Sequence, residues 1–293
     1  VSGHDLYEPP PRRRPREETG LSRRALLRLR PTAAGRADVD YAGARRRVLE
    51  GWQRDGHEPL LRAIEPVGAV VAGLAGVGPG TSALDVGAGD GNTALACLAL
   101  GAEVAACDLA PAMVQRGRVR CHRARWRVAD VQALPYPDGR FDAVLSTFGA
   151  VLAPRPRRTA RELVRVVRPG GVVALAAWVP RGLPGRLDEL VEALAPLPVG
   201  VRSPAEWGRQ PVARRRLGDL LEDLELRLRT VRLRFTDADA AFDALVRATP
   251  LDEARRAALR PGFDRLLASC NESASAVELS ARYVVAIGHR PGR

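Results

Sequence analysis

Leu84-Asp85-Val86-Gly87-Ala88-Gly89-Asp90-Gly91-Asn92 reads as an apolar strand that breaks into three alternate glycines before a helix, and this stretch decides the fold. Glycine suits those positions because the backbone must turn sharply and let a ligand lie against it with no Cβ in the way. A dinucleotide fingerprint would run G-x-G-x-x-G. Here the third glycine comes one position early, at Gly91, and Asn92 stands where the fingerprint's glycine should be. Glycine also makes ordinary strand-to-helix turns, so the loop takes its meaning from its neighbours.

Those neighbours alternate. Ser82–Val86 is a short apolar strand, Asn92–Leu100 a helix, and Glu103–Cys107 a second strand that runs into Asp108. Pro111, suited to a first helical turn, opens a helix to about Arg120. Trp126–Ala129 and Phe141–Ser146 follow as strands, Pro156–Val167 as a helix, and Gly171–Trp178 as a fifth strand. Short apolar strands separated by helical stretches imply a parallel sheet with helices on both faces. Upstream, Ala37–Gly80 carries apolar residues at helical spacing and predicts two or three helices. Downstream, Leu187–Leu194 looks helical and Leu226–Phe235 alternates as a strand with one wet face. Asp237–Ala248 and Asp252–Ser269 read as helices, and Val277–Gly288 as a final strand.

Two carboxylates fall at the ends of strands that follow the glycine loop. Asp108 can accept both hydroxyls of a ribose, although a helix cap before Pro111 explains it about as well. Asp130, after Trp126–Ala129, can accept from an adenine amino group. Arg168-Pro169-Gly170-Gly171 carries helix-stop chemistry and reads as structural.

At this point the chain resembles the class I S-adenosylmethionine-dependent methyltransferases, of the branch similar to quinone-biosynthesis and small-molecule methyltransferases. The segments that carry the likeness are Leu84–Gly91, Cys107–Met113, Ala129–Tyr136, Phe141–Gly149 and Leu163–Gly171, in family order and at family spacing over residues 80–180. The resemblance implies a seven-stranded Rossmann-like α/β sheet with helices on both faces and an N-terminal helical cap. It implies a methyltransferase domain over 37–293. Within it, residues 37–80 form the cap, 81–180 the cofactor-binding core, 181–275 the substrate-side helices and strand, and 276–290 the final strand. The implied cofactor is S-adenosyl-L-methionine, with S-adenosyl-L-homocysteine as product. Asp85 and the Gly87, Gly89, Gly91 loop would hold its amino-acid end, and Asp108 its ribose. Leu109 and Met113 would meet the adenine, Asp130 its amino group and Val131 its face, and Ser146 would close the pocket. Ser203-Pro204-Ala205-Glu206-Trp207-Gly208 also resembles a family feature, with no chemistry to assign.

Acceptor and base have to be read from the residues alone. Phe148 and Trp178 stand at the carboxyl ends of strands, where ligands bind in such sheets, and with Tyr41 or Trp52 of the cap they are candidates to line the acceptor pocket. Each serves equally well as core filler. Of His4, His57, His122 and His289, the cap residue His57 is the best candidate for a general base, and a surface histidine is its commoner reading.

Composition bounds the alternatives. The 293 residues carry a formal charge of +12, and all 46 basic residues are arginine. The absence of lysine excludes lysine nucleophiles, Schiff bases and a P-loop. Residues 1–36 are net +5, residues 37–150 net −1, and residues 151–293 net +8, so the segment expected to bind cofactor is not the basic one. All-arginine usage beside heavy Ala, Gly and Pro reads as compositional bias more than as a polyanion site. A nucleic-acid methyltransferase is the rival reading. However, Ser146-Thr147-Phe148-Gly149 stands where a base-amine methylase carries Asp/Asn-Pro-Pro-Tyr/Phe, and no cysteine lies between Cys121 and Cys270. A non-catalytic S-adenosylmethionine-binding module is the second rival.

The four cysteines show no close pairing and suggest neither a metal site nor a disulfide framework. A reduced, cytoplasmic setting, a small-molecule acceptor and no membrane span are the resulting expectations, with natural-product biosynthesis as a setting. Residues 1–36, rich in Arg and Pro, predict a disordered tail. Ser22-Arg23-Arg24 lacks the apolar run of an export signal. Val39 is a candidate start because Met113 is the only methionine.

Overall fold

The computed structural model describes residues 39–292; the expected tail over 1–36 lies outside them. Two helices come first, α1 (Tyr41–Gln53) and α2 (Glu58–Leu74). Asp40 starts α1 by accepting a hydrogen bond from the Gly43 amide at 2.7 Å, satisfying one of the free first-turn N–H groups. The alternating core follows as β1 (Ser82–Val86), α3 (Asn92–Ala99), β2 (Glu103–Asp108), α4 (Pro111–Arg120), β3 (Arg125–Val128), β4 (Phe141–Thr147), α5 (Pro156–Val166) and β5 (Val167–Trp178). After it come α6 (Leu183–Leu194), a 3₁₀ turn (Pro204–Gly208), α7 (Gln210–Leu217), β6 (Glu222–Phe235), α8 (Ala238–Val246), α9 (Glu253–Cys270) and β7 (Val277–His289).

The strands form one sheet in the order β3-β2-β1-β4-β5-β7-β6. Strands β1 to β5 pair in parallel, and β7 runs antiparallel to both of its neighbours. The parallel pairing expected of the alternating strands holds, and β7 and β6 extend it as an antiparallel edge. Two hydrophobic clusters sandwich the sheet. One, holding Val67, Val71, Leu145, Leu233 and Tyr283, packs under α2 and α3, and the other, holding Leu84, Val144, Leu163 and Leu175, packs under α5. Alternate residues of β4 thus serve opposite faces, which is why its sequence is apolar throughout.

Several boundaries moved for local reasons. Arg168–Gly171 does not stop before the strand but forms its first turn of pairing. Gly170 donates to the Arg290 carbonyl at 2.8 Å, and the Arg290 amide donates back to Gly171 at 2.9 Å. Strand β6 begins at Glu222, ahead of the expected Leu226, after a register shift against β7. The Gln210–Leu217 helix has three consecutive arginines and no apolar stripe, so periodicity gave no sign of it.

Strand order puts the carboxyl ends of β1, β2, β3, β4 and β5 along one edge, with α1 and α2 nearby. Helix α2 packs closely on the start of α3: a Cβ on Gly68 would come within 2.9 Å of the Asn92 and Thr93 backbone. Leu145, fully buried at the centre of β4, tests how much this packing contributes. Leu145→Ala should lower unfolding free energy by about 2–5 kcal/mol, read as a shift in urea midpoint at unchanged slope.

Candidate functional site

The loops after β1 and β4 meet backbone to backbone. Gly87 has φ +64°, and a Cβ there would lie 2.8 Å from Gly149 Cα; a Cβ on Gly149 would lie 2.2 Å from the Gly87 carbonyl oxygen. Only a residue without a side chain fits on either side. Ser146 joins the same two loops, its hydroxyl donating to the Val86 carbonyl at 2.6 Å and accepting from the Ala150 amide at 2.9 Å. Above this seam opens a cleft of about 960 Å³, mouth included.

Three carboxylates line it. Asp85 is buried at the floor; one oxygen accepts from the Ala94 amide at 2.9 Å, and the other is buried without a partner. Burial pushes its pKa up to about 7, with the neighbouring charges of Asp108 and Asp90 adding to the rise. Asp108 accepts from the Gly89 amide at 2.8 Å and the Ala110 amide at 2.9 Å, so it ties the glycine loop to the end of β2. Burial raises it to about 6 against those hydrogen bonds. Asp130 is different. Burial pushes it upward, but the Gln132 amide at 2.8 Å and the Arg45 guanidinium at 2.6 Å together hold it below the ordinary carboxylate range.

Of the residues expected to hold cofactor, Asp85, Gly87, Gly89, Asp108, Leu109, Asp130 and Val131 line this one cleft. Gly91, Met113 and Ser146 do not. Gly91 caps α3 with φ +102° against Trp126, Met113 is fully buried beneath α4, and Ser146 acts through the seam just described. Of the aromatics, Trp52 and Phe148 line the cleft. Phe148 adopts φ 64°, a left-handed conformation uncommon for a non-glycine residue, and its ring stacks on Trp178 at 3.7 Å between centroids. Trp178 therefore backs the wall without reaching the cleft, and Tyr41 lies under the Arg155 guanidinium, outside it.

His57 stands elsewhere than a base would. It is fully buried at the start of α2, its Nε2 bonded to the Gly51 carbonyl at 3.1 Å and its ring stacked on Trp52 at 4.7 Å. Burial lowers its pKa, and it does not line the cleft. The expectation of a base at His57 is corrected to a packing position behind Trp52.

Sequence reasoning missed the cap side chains Arg45, Val48, Leu49, Leu61 and Ile64, and the pair Thr93 and Thr147, whose hydroxyls meet at 2.8 Å. Arg45 and Asp130 are 85 residues apart, and no local pattern links them. The Ser203–Gly208 segment proves to be a prop. A Cβ on Gly208 would lie 1.9 Å from the Trp178 carbonyl oxygen, and the buried Trp207 is covered by Arg216, itself paired to Glu206 at 2.9 Å. Among the described residues no cluster of His, Cys, Asp and Glu could hold a metal ion, and no helix is long and apolar enough to cross a membrane.

A doubly wound sheet whose glycine loop and strand-end acids open on one cleft defines a nucleotide-cofactor-binding α/β protein. Comparison with known proteins gives the family. Residues 84–175 match the family described as "Methyltransferase domain". Two uncharacterised proteins of Mycobacterium tuberculosis are similar. One is 37% identical over 169 residues, 56% of this chain and 62% of the relative, and the other is 35% identical over 184 residues, 61% and 67%. A malonyl-[acyl-carrier protein] O-methyltransferase of Halorhodospira halophila is 38% identical over 153 residues, 50% of this chain and 49% of that one. The crystal structure of the YcgJ protein from Bacillus subtilis shares the fold, with TM-score 0.54 at 19% identity, covering 76% of this chain and 97% of that one. The match to the first relatives thus spans less than two thirds of their length. Residues 84–175 thus belong to the methyltransferase-domain family, and the chain has the fold of the class I S-adenosylmethionine-dependent methyltransferases.

The raised carboxylates make the ligand-free protein sensitive to pH. Asp85 ionises near pH 4 when unfolded and near 7 when folded, so between those values the folded state holds the extra proton. Stability from this group is complete below pH 4 and lost as pH rises through 7. Urea midpoints should fall across that window, and Asp85→Asn should flatten the fall.

Proposed function

We propose that this chain transfers a methyl group from S-adenosylmethionine to a small-molecule acceptor, in cytoplasmic specialised metabolism or cofactor biosynthesis. The observation that carries the reading is the partnerless, buried oxygen of Asp85 in the same cleft as Asp108 and the glycine loop. A buried carboxylate oxygen with no donor is costly unless a ligand supplies one. The ammonium of a bound amino-acid group suits it, and drawing Asp85 to its charged form would lower its pKa again.

Asp108, already fixed by two amides, would accept the ribose hydroxyls on its remaining lone pairs. Asp130 and Val131 stand at the expected adenine end, where Arg45 from the cap helix holds Asp130 ionised. Held by these residues, S-adenosylmethionine would supply an already activated methyl group for in-line transfer to the acceptor. What the protein contributes is alignment and exclusion of water, which can supply ~7–11 kcal/mol of the barrier. Val48, Leu49, Trp52, Leu61 and Ile64 from α1 and α2 make that side of the cleft apolar. An apolar wall supports a small organic acceptor over a nucleic acid, whose binding would draw on exposed arginines.

Only Arg45, Asp85, Asp108 and Asp130 among the lining side chains carry a charge, and each is engaged. With no spare base, the reading favours an acceptor whose nucleophile needs no deprotonation by the protein, such as a carboxylate or an aromatic amine, over an unactivated alcohol.

Titration calorimetry should show S-adenosylhomocysteine binding and no NADH binding, and Asp108→Ala should weaken the former by about 100-fold or more, since it removes charge-assisted bonds. NADH binding in place of S-adenosylhomocysteine would overturn the reading. Comparing metabolites of a disrupted and an intact strain should then reveal an acceptor lighter by one methylene group.

A further inference from the structure

Strand β6 is the last in the sheet, fourteen residues long, and pairs only with β7 among the described residues. A long open edge is a template for another strand, and proteins usually blunt such edges with like charge, proline or a covering segment. This edge is divided by sign. Its first part carries Glu222, Asp223 and Glu225 against the single Arg227, and its second carries Arg229, Arg232 and Arg234, with Leu228 between them 49% exposed. A strand of one sign would repel its own copy in any arrangement. A strand acidic at one end and basic at the other attracts its copy when the two run antiparallel.

We propose that β6 is a self-association surface, on which two copies of this chain pair edge to edge, antiparallel, with Leu228 at the two-fold axis. Residues whose numbers are equally far from 228 then stand opposite one another, on the same face of the joined sheet. Leu228 meets the partner's Leu228 and Leu226 meets the partner's Thr230. Beyond the register shift between Glu222 and Glu225 the acidic end lies near, rather than opposite, the partner's Arg234, which also pairs with its own Glu278 at 3.3 Å. On the other face, where Val231, Leu233 and Phe235 pack in the cluster that includes α2 residues, Glu225 comes opposite the partner's Val231. A groove flanks that half of β6, bordered by Arg62 of α2, and it would receive the acidic half of the other copy. One kind of like-charge pair results, Arg227 with the partner's Arg229, occurring twice across the two-fold axis, and each Arg227 is already neutralised by Glu225 at 2.5 Å. Such an interface is isologous and closes at two copies, joining two seven-stranded sheets into one. Residues 1–36 are a poorer occupant for the basic half of the edge, being net +5 themselves.

Light scattering on the full chain distinguishes the outcomes. At low salt and micromolar concentration the protein should have twice its 31.6 kDa mass, and added salt should weaken the pairing. Leu228→Arg should give a monomer that still binds S-adenosylhomocysteine with unchanged affinity, because Leu228 lies outside the cleft. Glu225→Arg and Arg232→Glu should each raise the dissociation constant about tenfold or more, and an equimolar mixture of the two should recover a mixed dimer. Circular dichroism checks that each variant folds, and the two charge variants carry the test if Leu228→Arg does not. A wild-type monomer, including one that takes up an acidic peptide along β6 instead of its own copy, overturns the proposal. So does a dimer indifferent to all three substitutions, or a mixture that stays monomeric.

Discussion

The contact on which the cleft depends is the approach of two peptide backbones, at Gly87 and Gly149. Parallel strands β1 and β4 lie side by side, and their exits must diverge enough to leave a crevice yet stay close enough to share its floor. Removing both side chains brings the loops to van der Waals distance, and the Ser146 hydroxyl then ties them with two hydrogen bonds. Phe148 takes up the residual strain. Its left-handed backbone costs on the order of 1–3 kcal/mol, which the stack on Trp178 and the edge contact with Tyr283 help to offset. That conformation turns the Phe148 ring onto the cleft wall.

Electrostatics in the cleft follow from the same geometry. Asp85 and Asp108 come from adjacent strands, and burial leaves both harder to ionise than free carboxylates. Asp130, one strand further out, is reached by Arg45 and stays charged. Three acids of one type are thus shifted in two directions, Asp85 and Asp108 upward and Asp130 downward, by where the sheet puts them. The site is tuned by strand order, and the unsatisfied oxygen of Asp85 is a cost that the empty fold carries.

The parts of this design written in consecutive residues are the ones a sequence shows. The glycine loop, Asp108 and Asp130 are legible because a strand, a turn and a side chain at its end sit within a few positions of one another. Arg45 was invisible because its partner is eighty-five residues away, and His57 was misleading because the reading of the cap gave its place in the chain but not its direction. Trp178 and Phe148 could be placed at strand ends, but which of two stacked rings faces the cleft is decided by one backbone angle. The reversal of β7 is a matter of topology, and an apolar alternating strand reads the same in either direction.

Helix α1 is fastened differently from the rest of the molecule. Only Ala44 and Gly51 of its residues are buried, and its ties run through long polar side chains: Arg45 to Asp130, Arg47 to the Pro196 carbonyl, Gln53 to the Ala112 amide, with Arg54 at its end reaching the Thr249 carbonyl. Bonds of this kind can be exchanged for water one at a time, whereas opening α2 or the sheet would expose a continuous core. The least costly local opening of the fold is therefore the one that uncovers Val48, Leu49 and Trp52. Exposure of that wall to solvent and global stability of the fold are thus separable properties of this chain.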